Sequence, residues 1–372
     1  MTTRSLRKWL RLLCFAAVTV SLPAPQAHAQ PANSREATAR KAQAPKAARP
    51  AAQAQRPAAQ AQRTATGRHG TARPGERVRA TIPASGHAAA KAAPMTAARA
   101  TPVSMRYRPD SARSAEAPSD LVLRSTAVLV ASQASGQVLF SRNDDRVRSI
   151  ASITKLMTAM VVLDYNQAMD EPVTITEEDI DATRRLGSRL AAGTTLSRAE
   201  MLRLSLMSSE NRATAALART SPGGYREFIA QMNLKAQALG MHQSRFEDST
   251  GLHSGNVATA QDLVRLVNAG MTYSTIREYT TTSALRVDTP GNRAAHLQFN
   301  NSNQLVASPE WDIGLSKTGF IREAGRCLVM HTRINGEDMV IVLLDSDGRH
   351  SRIADANRIR RWIESGFSLR LI

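Results

Sequence analysis

The stretch Ile150-Ala151-Ser152-Ile153-Thr154-Lys155-Leu156-Met157-Thr158-Ala159-Met160-Val161-Val162-Leu163-Asp164 decides how the folded part of this chain is assembled. From Leu156 to Leu163 it is apolar nearly all round, which predicts a helix buried on every side rather than one with a wet face. The run is much too short to span a membrane, so a protein core must surround it. Ser152 and Lys155 fall in the first turn of that helix, and residues three apart share a face, so the lysine amine is brought beside the serine hydroxyl.

Outward from this helix, both flanks read as β-structure. Thr126–Val130 and Gly136–Phe140 are short apolar runs joined through Ser135-Gly136, a hairpin pattern. Near the other end, Cys327–Ile334 and Asp338–Leu344 flank Asn335-Gly336, a strong tight-turn dipeptide. A helical pattern follows over Ala354–Glu364, with Gly366 as its expected stop. Between the strand regions, Arg198–Met207 and Tyr225–Leu239 read as helices, the second entered through Ser221-Pro222-Gly223-Gly224 and closed by Gly240. Strands from both chain ends with helices between them predict an α/β fold: one antiparallel sheet, an inserted helical lobe, and a site in the cleft between them.

Three short strings carry the chemistry: Ser152-Ile153-Thr154-Lys155, Ser209-Glu210-Asn211 and Lys317-Thr318-Gly319. A serine needs a base to become a nucleophile, and lysine serves only when its pKa is lowered. Burial does that, and a second cation, here Lys317, pushes the same way. The helix start aims the Ser152 N–H at a developing oxyanion. Ser209 reads either as a helix N-cap or as a proton relay, with the Asn211 amide holding substrate backbone. Lys317-Thr318-Gly319 falls on a strand, where Lys317 and Thr318 would bind a substrate carboxylate, Gly319 lets substrate backbone approach closely, and the Phe320 N–H would complete the oxyanion hole.

From Thr126 to Gly366 the chain resembles the low-molecular-mass penicillin-binding proteins, the D-alanyl-D-alanine peptidases, and most of all their endopeptidase type. The resemblance rests on Ile150 to Asp164, Leu206-Met207-Ser208-Ser209-Glu210-Asn211-Arg212-Ala213, Pro222-Gly223-Gly224-Tyr225, Thr250-Gly251-Leu252 and Lys317-Thr318-Gly319-Phe320. It implies the β-lactamase/transpeptidase-like fold, a Ser152 acyl-enzyme with Lys155 as base, peptidoglycan as substrate, and β-lactams as covalent inhibitors. The three strings serve an endopeptidase and a carboxypeptidase alike. The typical carboxypeptidases of the group continue into a β-rich domain and a membrane-binding helix, for which the six residues after Gly366 leave no room; that favours the endopeptidase. A β-lactamase would need a glutamate to activate water, and Glu171, Glu177 and Glu178 lack the local context for it. A non-catalytic wall-binding protein is the other alternative, and the complete set of site residues argues against it.

The N-terminus reads as a secretory signal over residues 1–29: Arg4, Arg7, Lys8 and Arg11, an apolar stretch Leu12–Leu22, and Ala27-His28-Ala29 before a mature start at Gln30. The alternative is an uncleaved anchor. The expected location is the periplasm. The net charge of +18 is uneven, with 20 Lys and Arg against five acidic residues up to Asp120, and 29 against 26 beyond. The segment 30–120 has Tyr107 as its one aromatic residue and repeats Arg49-Pro50-Ala51-Ala52-Gln53-Ala54-Gln55 at Arg56–Gln62. With nothing to bury it is expected to be disordered, a spacer or an electrostatic contact to the anionic wall. Export and the lack of interleaved aromatics argue against nucleic acid. Residues 121–372 form the peptidase domain. Cys327 is the single cysteine after cleavage, expected to be a buried thiol in a strand. Metal-ligand spacings are absent, so no metal or cofactor is expected. His253, His296 and His331 are scattered and read as structural or exposed.

Overall fold

Five strands form one antiparallel sheet in the computed structural model: β1 Ser125–Ser132, β2 Val138–Arg142, β3 Asp312–Ile321, β4 Gly325–Ile334 and β5 Glu337–Ser346. Their spatial order is β2-β1-β5-β4-β3, so the N-terminal pair joins the C-terminal three through β1 and β5, and β3 forms an edge. The structure describes residues 121–183, 188–289 and 295–367. The expected leader 1–29 and basic segment 30–120 lie outside the described residues.

Alternation along the central strands splits the core in two. Ala127, Leu129, Ala131, Cys327, Val329, Val340, Val342 and Leu344 face the helical lobe. Val128, Val130, Leu328, Met330, Met339, Ile341 and Leu343 face the opposite side. Because both faces are covered, these strands read as unbroken apolar runs instead of alternating ones. The β4–β5 turn places Asn335 at φ 52° and Gly336 at φ 79°, the two left-handed residues that a tight hairpin requires.

The helices are α1 Lys155–Asp164, α2 Glu177–Ala182, α3 Arg198–Met207, α4 Asn211–Arg219, α5 Gly224–Ala238, α6 Ala260–Gly270, α7 Ser274–Thr280 and α8 Ser351–Phe367. Lys155 to Val162 of α1 are all buried, as its all-round apolar pattern requires. The terminal helix α8 covers the far face of the sheet with Ala356, Ile359 and Ile363. Its Asp355 side chain, fully buried, accepts hydrogen bonds from Arg124 N, Ser125 N and Ser125 Oγ and so pins the start of β1. Gly366 is not the expected stop. A glycine ends a helix by turning left-handed, and Gly366 keeps an ordinary φ inside the last turn of α8. Among the described residues no helix is long and apolar enough to cross a membrane.

Candidate active site

Ser152 lies in a 3₁₀ turn, Ala151–Thr154, that runs directly into α1. Ala151 is held at φ 47°, an uncommon conformation for a residue with a Cβ, so the entry to this turn is strained. Two glycines sandwich the peptide between Ala151 and Ser152. A Cβ on Gly251, itself at φ 83°, would fall 2.0 Å from Ala151 O and 2.8 Å from Ser152 N. A Cβ on Gly319 would fall 2.8 Å from Ile150 O and 3.1 Å from Ser152 N. Gly319 thus lets β3 approach the serine backbone, a role beyond the substrate approach expected from its motif.

Lys155 is fully buried, and its Nζ lies 3.0 Å from Ser152 Oγ. The same nitrogen donates to Asn211 Oδ1 at 2.8 Å and to Thr250 O at 2.6 Å. A neutral amine has two N–H donors and one lone pair. With both donors committed to these acceptors, the lone pair faces the serine hydroxyl. Burial brings the Lys155 pKa down to about 7, while the charges of Asp248 and Glu210 oppose the shift. The cause is therefore desolvation first. The repulsion expected between the two lysines shows at the other partner: Lys317 is held well below its ordinary value by burial, then by the charges of Lys155 and Arg352.

Lys317 Nζ donates to Ser209 Oγ at 2.9 Å and to Thr318 O at 2.9 Å, both neutral acceptors. Ser209 sits at φ 62°, and the residue that caps α4 is Glu210, whose side chain accepts from Ala213 N at 3.0 Å. The N-cap role considered for Ser209 therefore belongs to its neighbour, and the strained Ser209 turns its hydroxyl to Lys317. Thr318 Oγ1 donates to Ser302 Oγ at 2.7 Å. The Phe320 side chain is 55% exposed at the open edge of the sheet. In this way Ser152, Lys155, Ser209, Asn211, Lys317, Thr318, Gly319 and Phe320, from three separate segments, meet in one place.

Residues outside the three strings shape the site as well. The Asp248 carboxylate gathers Thr250 N at 3.0 Å, Gly251 N at 2.6 Å and His253 N at 2.9 Å. It also accepts from Thr250 Oγ1 at 3.1 Å and Asn256 Nδ2 at 3.1 Å. Asn256 in turn donates to Thr154 Oγ1, and Thr158 Oγ1 donates to Ser249 O. This cage presents the Thr250 carbonyl to Lys155. Arg352 at the start of α8 donates from Nη1 to Gly319 O at 3.1 Å. Because carbonyl and N–H point oppositely across a trans peptide, the Phe320 N–H faces away from Arg352. Glu210 also holds Ser188, beside the site. Of these, the Thr250-Gly251-Leu252 string was the one signal in the sequence; Asp248, Ser302 and Arg352 have no local motif.

Replacing Asp248 by asparagine removes the charge that supports the Lys155 ammonium and turns an amide donor toward backbone N–H groups. Each unpaired donor costs about 1–3 kcal/mol. The expected outcome is a Lys155 midpoint displaced below about 7, read from the pH dependence of serine acylation. Cys327 is buried opposite Gly319, and burial raises its thiol to about 11. The folded protein is accordingly expected to resist iodoacetamide at neutral pH, with modification appearing after denaturation by intact mass. His331 is buried in the sheet, with Nε2 2.9 Å from Gln133 Oε1, and His296 pairs with Asp288 at 2.5 Å. Among the described residues no group of three or more His, Cys, Asp or Glu stands ready to hold a metal.

Known proteins resemble this chain in sequence and in fold. A family model described as D-alanyl-D-alanine carboxypeptidase matches residues 112–348. The D-alanyl-D-alanine endopeptidase of Pseudomonas aeruginosa is 47% identical over 244 residues, covering 66% of this chain and 78% of that protein. The crystal structure of the Streptomyces K15 DD-transpeptidase superposes with a TM-score of 0.60 at 28% identity, covering 66% of this chain and 98% of that one. Penicillin-binding protein D2 from Listeria monocytogenes, solved in its ampicillin-bound form, has a TM-score of 0.56 at 27% identity over 67% of this chain and 99% of its own.

Proposed function

Because the chain belongs to the D-alanyl-D-alanine carboxypeptidase family and is a serine DD-peptidase, we propose that it acts as an endopeptidase on peptidoglycan, hydrolysing D-alanyl–diaminopimelate cross-links. The observation that carries the mechanism is the buried Lys155 amine 3.0 Å from Ser152 Oγ with both of its donors engaged. Ser152 Oγ attacks the D-alanyl carbonyl as its proton passes to Lys155 Nζ. The tetrahedral oxyanion lies between the N–H groups of Ser152 and Phe320. The C–N bond then breaks, and the leaving amine takes the proton from Lys155 through Ser209, freeing the second peptide. Water next attacks the acyl-enzyme, giving a proton to Lys155, which passes it to Ser152 Oγ as the ester C–O bond breaks, leaving a free D-alanine carboxylate on the product.

Lys317 and Thr318 hold the carboxylate on the D-centre beyond the scissile bond. Lys317 has only neutral acceptors around it, so a substrate carboxylate supplies the counter-charge its buried position lacks. The Asn211 Nδ2 holds substrate backbone, since its Oδ1 is committed to Lys155. β-Lactams acylate Ser152 by the same route, and their acyl-enzymes persist. Glu171 is engaged by the buried Arg198 at 2.7 Å.

The choice of cross-link over terminal D-alanine is supported by the endopeptidase relative; one carboxylate-binding pair serves both reactions, which keeps the carboxypeptidase as the second reading. The signal over 1–29 supports a periplasmic location, and the charge of 30–120 supports contact with the anionic wall. Digestion of cross-linked muropeptide dimers beside pentapeptide monomers, with the Ser152→Ala variant in parallel, tests the proposal. Dimer cleavage that depends on Ser152 is the expected result. Loss of terminal D-alanine with dimers untouched would establish the carboxypeptidase reading instead.

A further inference from the structure

We propose that Phe320 and Arg326 form a subsite for the acyl side of the substrate, one that takes a residue bearing methylenes and a side-chain carboxylate just before the D-alanine. This rests on the orientation of the substrate given above. With the leaving residue's carboxylate at Lys317 and Thr318 and the scissile carbonyl at the Phe320 N–H, direction along the edge strand is settled. Thr318 and Phe320 are two residues apart, about 7 Å along the strand. The acyl part of an extended substrate therefore continues past Phe320, away from Thr318.

At that point the edge offers an aromatic face and a cation. Thr318 and Phe320 project from the same side of β3, and Phe320 is the most exposed residue of the Lys317–Phe320 string. Arg326 is its direct cross-strand partner on β4, and the guanidinium carbon lies 4.4 Å from the ring centroid. Among the described residues no carboxylate pairs with Arg326, whose guanidinium is instead held over the Phe320 ring. Arg352, the next cation, is already committed to Gly319 O. Stacking on the ring holds the Arg326 guanidinium without using its N–H donors, an arrangement that suits a carboxylate. In a peptidoglycan stem the residue before D-alanine is diaminopimelate, whose side chain has both the methylenes and the acid.

The test uses two synthetic stem peptides ending in D-Ala-D-Ala that differ only before the D-alanine, one carrying a side-chain carboxylate and the other its carboxamide. For the unmodified protein the expected kcat/KM ratio is about tenfold in favour of the acid. Arg326→Gln is expected to bring that ratio close to one, with benzylpenicillin acylation unchanged within about twofold, and Arg326→Lys to restore part of it. Protection of Ser152 from a fluorescent penicillin by each peptide gives a binding readout that does not need turnover. A ratio near one for the unmodified protein in both turnover and protection would overturn the subsite, as would a ratio that survives Arg326→Gln. Should the glutamine variant fail to fold, seen as loss of penicillin acylation, the ratio for the unmodified protein still decides. Turnover of neither peptide with preferential protection by the acid would count against the carboxypeptidase reading and not against the subsite.

Discussion

Lys155→Met is expected to leave a folded protein in which Ser152 acylation, by peptide or penicillin, falls on the order of 10³-fold. Methionine fills the same buried volume but carries no lone pair basic enough to take the serine proton. Its thioether also escapes the desolvation that lowers the lysine pKa, so the variant loses the base without acquiring a buried charge. The cost is the unpaired acceptors Asn211 Oδ1 and Thr250 O, about 1–3 kcal/mol each at most. A melting temperature within several degrees of the parent together with a collapsed acylation rate is the signature. A comparable drop in both would mean that Lys155 acts mainly as a structural tie.

Gly251→Ala is expected to damage activity more than its chemistry would indicate. The new methyl would sit 2.0 Å from Ala151 O in a residue already at φ 83°. A left-handed alanine costs about 1–2 kcal/mol by itself, and the collision must also push the Ala151–Ser152 peptide out of place. A displacement near 1 Å at the nucleophile costs about 100-fold in rate. Gly336→Ala is the matched control, because Gly336 has a similar φ of 79° with no atom within 4 Å of the added Cβ. It is expected to lower the melting temperature by a few degrees and leave the acylation rate unchanged.

The contrast between those two glycines shows what was legible in the chain and what was not. Local patterns located α3 at Arg198–Met207 and the buried α1 to within a residue, since helix period and apolar content are properties of neighbouring residues. The Asn335-Gly336 turn is likewise a local matter. What Gly251 meets depends on residues about a hundred positions away, so no reading of its own neighbourhood reveals the collision. The same holds for Arg352 with Gly319, for Ser302 with Thr318, and for the Asp248 cage beneath Lys155. The hairpin Ala284–Asp288 with His296–Asn300 and the two-residue ribbon of Arg148–Ser149 with Val257–Ala258 went unanticipated because such short strands have too few residues to display a period. Helix α6 was legible in principle: Thr259 caps it by accepting from Asp262 N, and one face is apolar. Of the two causes expected to lower Lys155, burial leads as anticipated, while the charges that follow it are the opposing ones of Asp248 and Glu210.

The pH dependence of benzylpenicillin acylation, with the adduct located by peptide mass mapping, bears most directly on the claim that a neutral Lys155 activates Ser152. Lys155 must be in its free-base form to accept the serine proton, so the rate should be low in acid and rise with a midpoint at about 7, with the whole of the added mass on the peptide containing Ser152. An adduct on any other residue, or a rate that stays level through neutral pH, would contradict the account.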